Sequence, residues 1–355
     1  MKKPSLILPV LVPALFLILT NQSVRADNST WLLNPTNSDW NTGANWSRNT
    51  VPGDIATFDV SNVTNVSVSA FTPIRQIIFD STASPFTITV LPNQLLEFAA
   101  VAQGITNNSS MTQNFVSAVD NTGQAGNCLF FYGTVSGQVL FTTEASIIPG
   151  GLPGAVDFDL SSNSGGATFH NLGGAVGGRA DFSASASAGE STIISDGATV
   201  AGGIGGGTSF SQSRPSAGNA TLIANGGTNG GGGGFFLFAD GSLGGTARLE
   251  VFGNGYMDVS AHTGPSLSIG SMEGDGQIYL GKSTLMVGTN NLSISFSGVF
   301  HPGSPTGGSG TGALTKIGSG TLTLSGANLY TAGTTVSAGA LVISNTTAQA
   351  RALVR

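Results

Sequence analysis

A Phe-led segment recurs through the middle of the chain, and this repetition limits the fold more than any other feature. Phe158 is followed by Gly165 and Ala167-Thr168-Phe169, and Phe182 by Gly189 and Ser191-Thr192-Ile193. Phe210 is followed by Gly218 and Ala220-Thr221-Leu222, and Phe238 by Gly245 and Ala247-Arg248-Leu249. The Phe-to-Phe steps are 24, 28 and 28 residues. Phe130 with Gly137 reads as a degenerate earlier copy, 28 residues upstream of Phe158. Each copy leaves through a Gly-rich exit: Gly173-Gly174, Asp196-Gly197, Gly226-Gly227 and Gly253-Asn254-Gly255. A period of roughly 20–50 residues indicates a solenoid, a propeller or an array, and a propeller blade needs about 40–50 residues for its four strands. The unit here is too short for a blade but suits one coil of a β-helix. Like residues then stack one coil apart, and backbone hydrogen bonds run between coils. Gly and Asn supply the positive φ angles of the corners.

Composition agrees. Gly accounts for 53 of 355 residues, charged residues for only 8%, and hydrophobic residues for 40%. Core-forming residues are too plentiful for wholesale disorder, and no Gly-X-Y period supports collagen. Ser, Thr, Asn and Gly hold the polar positions that Lys, Glu and Arg occupy on helix surfaces, which argues against a helical fold. Sparse charge suits a ladder, where stacked like charges would repel. The net charge is −6, and losing Lys2, Lys3 and Arg25 with a leader leaves nine basic residues against 18 acidic. Such a surface disfavours nucleic acid.

The N-terminus reads as an address. Met1-Lys2-Lys3 precedes an apolar run from Leu6 to Leu19, and Ser23-Val24-Arg25-Ala26 offers small residues for cleavage after Ala26. The run is short for a membrane span and holds Pro9 and Pro13, so a cleaved secretory signal is expected rather than an uncleaved anchor. No transmembrane segment is expected in the mature chain. The lone Cys128 lies in the apolar run Asn127-Cys128-Leu129-Phe130-Phe131 and is expected to pack as a small hydrophobe rather than act as a reactive thiol.

Toward the C-terminus, Asn291-Leu292-Ser293-Ile294-Ser295-Phe296 alternates, which places Leu292, Ile294 and Phe296 on one face. Gly303 to Gly312 reads as a loop. Leu314-Thr315-Lys316 through Asn345, with Gly320-Thr321-Leu322-Thr323-Leu324-Ser325-Gly326 at its centre, resembles the autotransporter-associated β-strand repeat of bacterial passenger regions. Leu329 and Ala332 depart from its pattern without breaking the strands. Trp31, Asp39-Trp40-Asn41, Asn45-Trp46, Val51-Pro52-Gly53-Asp54 and Ala56-Thr57-Phe58 are more loosely similar to the same group. The resemblance implies a right-handed parallel β-helix exposed outside the cell and no catalytic reaction. Passengers of this type usually precede a membrane β-barrel, which the ten residues after Asn345 cannot form. The expectation is a piece of a longer product or release by another route.

Several motifs compete with this reading. Gly276-Gln277-Ile278-Tyr279-Leu280-Gly281-Lys282-Ser283 satisfies the phosphate-loop pattern. Ile278 and Leu280 alternate, however, and Thr284-Leu285-Met286-Val287 shows no helical period, so a strand is expected and nucleotide binding is not. The candidate carboxylates for a glycosidase or lyase are Asp157 with Asp159, Asp196, Glu250, Asp258, Glu273 and Asp275. Asp196-Gly197, Asp240-Gly241 and Asp275-Gly276 read better as turns. Asp157 and Asp159 share a strand face, either solvated or facing a cation. His170, His262 and His301 lack metal-pair spacing, and no G-x-S-x-G elbow occurs. Arg179, Arg214 and Arg248 hold no common repeat position. Trp31, Trp40 and Trp46 suit an N-terminal cap more than a sugar platform.

The expected fold is thus all-β, a right-handed parallel β-helix with an N-terminal cap. The divisions are a signal at 1–26, a cap region at 27–128, Gly-rich solenoid repeats at 129–300, a loop at 301–312, the recognised repeat at 313–345 and a tail at 346–355. The expected function is that of a secreted, non-enzymatic surface scaffold or adhesin-like module, with no catalytic, cofactor or metal residues. Its partner would be an extracellular or cell-surface ligand such as a polysaccharide. The alternative is a carbohydrate-active enzyme on the same scaffold.

Overall fold

The computed structural model describes residues 27–98 and 103–345. The expected signal at 1–26 and tail at 346–355 lie outside the described residues. Short alternating runs become short strands. Thr168–Asn171 and Thr192–Ser195, for example, bury every second residue. Among the described residues there are 31 strands, one 3-10 turn at Gly43–Asn45 and no α-helix. The strands form sheets of twelve, ten, five and four strands. Each strand pairs in parallel with its counterpart one coil away, as Ala155–Phe158 pairs with Arg179–Ala184 and that strand with Gly207–Ser213. This is a parallel β-helix.

A coil visits its faces in a fixed order. Asn127–Phe130 lies in the ten-stranded sheet, Thr134–Ser136 in the five-stranded one and Val139–Thr143 in the twelve-stranded one. The chain then returns to the ten-stranded sheet at Ala155–Phe158. Near the C-terminal end the four-stranded sheet takes the intermediate face, beginning with Ser266–Ile269. In the Gly-rich middle that face shrinks to one bridge per coil, linking Thr134, Asn163, Ser187, Ser216 and Leu243 in turn. The sheets cross residue 128 without a break, since Leu95–Phe98 pairs with Asn127–Phe130.

The repeat phenylalanines stack. Phe98, Phe130, Phe158, Phe182, Phe210 and Phe238 occupy one register position on six successive coils. Ring centroids lie 4.3, 4.5, 5.2, 5.0 and 4.8 Å apart, with interplanar angles of 13° or less. On the facing sheet Phe115, Phe141 and Phe169 form a second ladder, continued by Ile193, Leu222, Leu249 and Met272. The ladders meet edge to face, as in Phe158–Phe169 at 5.8 Å and 71°. Burial contributes about 1.5–3 kcal/mol per ring, and well-placed aromatic pairs add about 0.5–1.5 kcal/mol. Trp31, Trp40 and Trp46 pack with Phe58 at the start of this core, all at most 2% exposed. Their rings are enclosed and offer no open face to a sugar.

A buried polar ladder fixes the register. Thr143 Oγ1 donates to Asn171 Oδ1 at 2.8 Å, and Asn171 Nδ2 donates to the Gly207 carbonyl and to Thr208 Oγ1. A shift by one coil position would strand these groups in an apolar interior.

Two glycine series fit the coils together. Gly165, Gly189, Gly218 and Gly245 turn the corner after the bridge at φ between +56° and +61°. The second series enters the ten-stranded sheet at Gly154, Gly178, Gly206 and Gly234. There a Cβ would stand 1.8–2.1 Å from a carbonyl oxygen of the preceding coil.

Two local expectations are corrected. Phe130 belongs to the ladder, but Gly137 does not precede Gly165 in its column. A Cβ at Gly165 would meet Val135, because this coil carries the extra strand Thr134–Ser136. The C-terminal alternation begins only at Ile294. Asn291 turns at φ 61°, and Leu292 is left 49% exposed outside the strand.

Gly206→Ala is expected to lower stability by roughly 1–3 kcal/mol through backbone overlap. Gly166→Ala, with nothing within 4 Å of its Cβ, should stay within about 0.5 kcal/mol. Urea unfolding of the two variants checks this. Equal stabilities would refute the close approach.

Candidate functional site

The charged and aromatic side chains that the core excludes collect on the outer faces. On the ten-stranded sheet one outward row reads Leu129, Asp157, Asp181, Ser209, Leu237, Asp258, Tyr279 and His301. Register places Asp157 directly beside Asp181. Asn127 Nδ2 donates to Asp157 Oδ2 at 2.7 Å, and Ser209 Oγ donates to Asp181 Oδ1 at 2.6 Å. Arg179 Nε lies 3.0 Å from Asp181 Oδ2. Asp181 thus has the cation, and Asp157 has the amide. Burial, followed by the neighbouring Asp181 charge, pushes the Asp157 carboxyl up to about 7. Asp159 turns away to accept from Ser183 Oγ and the Leu160 amide, so it does not join Asp157.

Further along this face the rings stack outside as they do inside. Phe235 lies over Gly207, where a Cβ would clash with its ring. Phe235 stacks on Tyr256 at 5.4 Å, and Tyr279 stacks on His301 at 4.7 Å. Tyr279 Oη donates to Gln277 Oε1 at 2.6 Å. Burial raises the Asp258 carboxyl and lowers His301, and it pushes Tyr256 up to about 12 with help from Asp258.

The remaining candidates are dispersed. Asp196 contacts His170 Nε2 and accepts from Asn225 Nδ2 on the twelve-stranded sheet. Glu250 and Glu273 stand side by side in register, and Arg248 bridges them at 3.2 and 2.8 Å. Asp275 accepts from the Gly253 amide, and Asp240 accepts from the Gln212 amide. His262 Nε2 lies 2.9 Å from the Ser242 carbonyl. Arg179 and Arg248 sit on different sheets. Among the described residues no group of three or more His, Cys, Asp or Glu side chains could hold a metal ion. Gly276–Ser283 runs as the strand Gln277–Tyr279 and a left-handed Gly281, followed by the strand Thr284–Val287. It has no helix N-terminus for a phosphate. Cys128 fills the core row between Leu96 and Val156, where burial pushes its thiol up to about 12.

Lys316 was legible only as part of the repeat motif, yet it occupies an interior position. It is 1% exposed in the row of Ile269, Val287 and Val336. Its ammonium donates to the carbonyls of Ile317 and Gly318, and burial lowers its pKa.

An unfolded Asp titrates near 4. Because the folded Asp157 titrates higher, folding takes up a proton between the two values, and stability falls as pH rises from about 4 to about 7. Asp157→Asn is expected to flatten this dependence and to stabilise the fold at pH 8 by roughly 1–3 kcal/mol. Urea titrations at pH 5 and pH 8 check it, and an unchanged pH slope in the variant would contradict the assignment.

No curated protein and no solved structure matches the chain. A family model described as the passenger-associated-transport-repeat matches residues 314–343. The matched stretch supplies Thr321–Leu324 and Ala340–Ile343 to the twelve-stranded sheet, and Thr334–Val336 to the four-stranded one. The chain is therefore a parallel β-solenoid whose C-terminal coils carry a passenger-associated-transport repeat.

Proposed function

We propose that this chain is an exported passenger module that works outside the cell as a non-enzymatic scaffold. The observation that carries this reading is the continuity of the matched repeat with the rest of the solenoid. Phe296 pairs with Leu324 and Leu324 with Ile343, in the sheet that also holds the Gly-rich coils. A passenger repeat built into the same ladder supports reading the whole ladder as a passenger. Long, weakly charged outer faces suit many weak contacts spread over a large surface. The alternative, a carbohydrate-active enzyme, draws on the Asp157–Asp181 pair. These two carboxyls, on adjacent strands of an open ladder, are already engaged by the protein, Asp157 by Asn127 and Asp181 by Arg179.

Two measurements test the proposal. Fractionation of cells expressing the full chain should find it outside the cytoplasm with a new N-terminus at Asp27, whereas a cytoplasmic product that retains Met1 would contradict export. Incubation with neutral and acidic polysaccharides should give no turnover. Turnover abolished by Asp157→Asn in a folded variant would establish the enzymatic alternative.

A further inference from the structure

The exit loops of the Gly-rich coils stack beside the sheets and enclose a groove of about 440 Å³. Antiparallel bridges between Ser146 and Val176, and between Gly174 and Ile204, tie the loops together. Ile147, 71% exposed, and Val200, 48% exposed, line the groove. Exposed aliphatic side chains that share a concavity can seat the apolar groups of a ligand. Asp120 and Glu144 stand in the same lining. The Thr122 and Gln124 amides donate to Asp120 Oδ1 at 2.8 and 2.9 Å, and the Val119 amide donates to Glu144 Oε2 at 2.8 Å. These bonds hold both carboxylates in place and use one oxygen of each. Among the described residues neither carboxylate has a basic partner, whereas Asp181, Glu250 and Glu273 all do. Ala175, between the two bridges, lines the groove, and its backbone amide and carbonyl make no hydrogen bond within the described residues.

We infer that this groove receives an extended peptide that carries a lysine or arginine beside aliphatic residues. The cation would sit against Asp120 and Glu144, the aliphatic side chains on Ile147 and Val200, and the peptide backbone along Ala175. Charge complementarity selects the basic residue. The unpaired backbone favours an extended chain over a simple amphiphile, because a strand can complete those hydrogen bonds. The inference deepens the scaffold reading by naming a ligand class. Its failure would leave export, which is read by fractionation, untouched.

The test is fluorescence anisotropy of the purified full chain with a labelled, end-blocked hexapeptide KVSVSV, against EVSVSV as the control. KVSVSV should bind saturably, at least about threefold more tightly than EVSVSV, and more weakly as salt rises. Glu144→Gln keeps an acceptor for the Val119 amide while removing the charge, and Ile147→Ser removes an exposed apolar side chain. Each should weaken KVSVSV about threefold or more while leaving the melting temperature unchanged. Equal binding of the two peptides, or unchanged binding in both folded variants, would overturn the inference.

Discussion

Coil-on-coil stacking of like side chains is the interaction on which everything else in this protein rests. A single coil has no interior. Its apolar residues are covered only when the next coil presents matching residues at the same register. The Phe98-to-Phe238 column shows the outcome, with six rings in near-parallel stacks repeating at the strand spacing. A parallel ladder leaves little tolerance for slip, because one residue of shift turns every inward side chain outward.

Close stacking explains the composition. Backbones that approach within a strand spacing at every corner leave no room for Cβ atoms, so Gly recurs at the entry to the ten-stranded sheet. Outward rows set each residue beside its own counterpart, so repeated charges would repel. The exceptions come with compensation: Arg179 beside Asp181, Arg248 between Glu250 and Glu273, and a protonatable Asp157. Inside, Asn171 and Lys316 are tolerated because neighbouring carbonyls and hydroxyls satisfy them.

The period of the Phe-led copies made the solenoid legible, because ladder position and sequence spacing are the same quantity in this architecture. Phe115, Phe141 and Phe169 carry the same signal at steps of 26 and 28 residues and form the facing ladder. What could not be read was any property set by the distance between coils. Asp157 was legible as a strand-face carboxylate, but its neighbour proved to be Asp181 one coil away rather than Asp159 two residues on. The spacing also could not show that the third face narrows to one bridge in the middle and widens again at Ser266–Ile269, since loop length hides which residues pair. Leu292 followed the alternation and yet lies outside the strand, because the Asn291 turn comes first.

The passenger-associated repeat at 314–343 continues the ladder, and the described surface carries outward rows and a loop-lined groove. The most direct measurement is a double-mutant cycle on the phenylalanine column. Phe158→Ala and Phe182→Ala, on adjacent coils, should couple by about 0.5–1.5 kcal/mol. Phe158→Ala and Phe238→Ala, separated by two intervening rings, should be additive within about 0.5 kcal/mol. Additivity in the adjacent pair, or equal coupling in both pairs, would contradict the stacked-coil account.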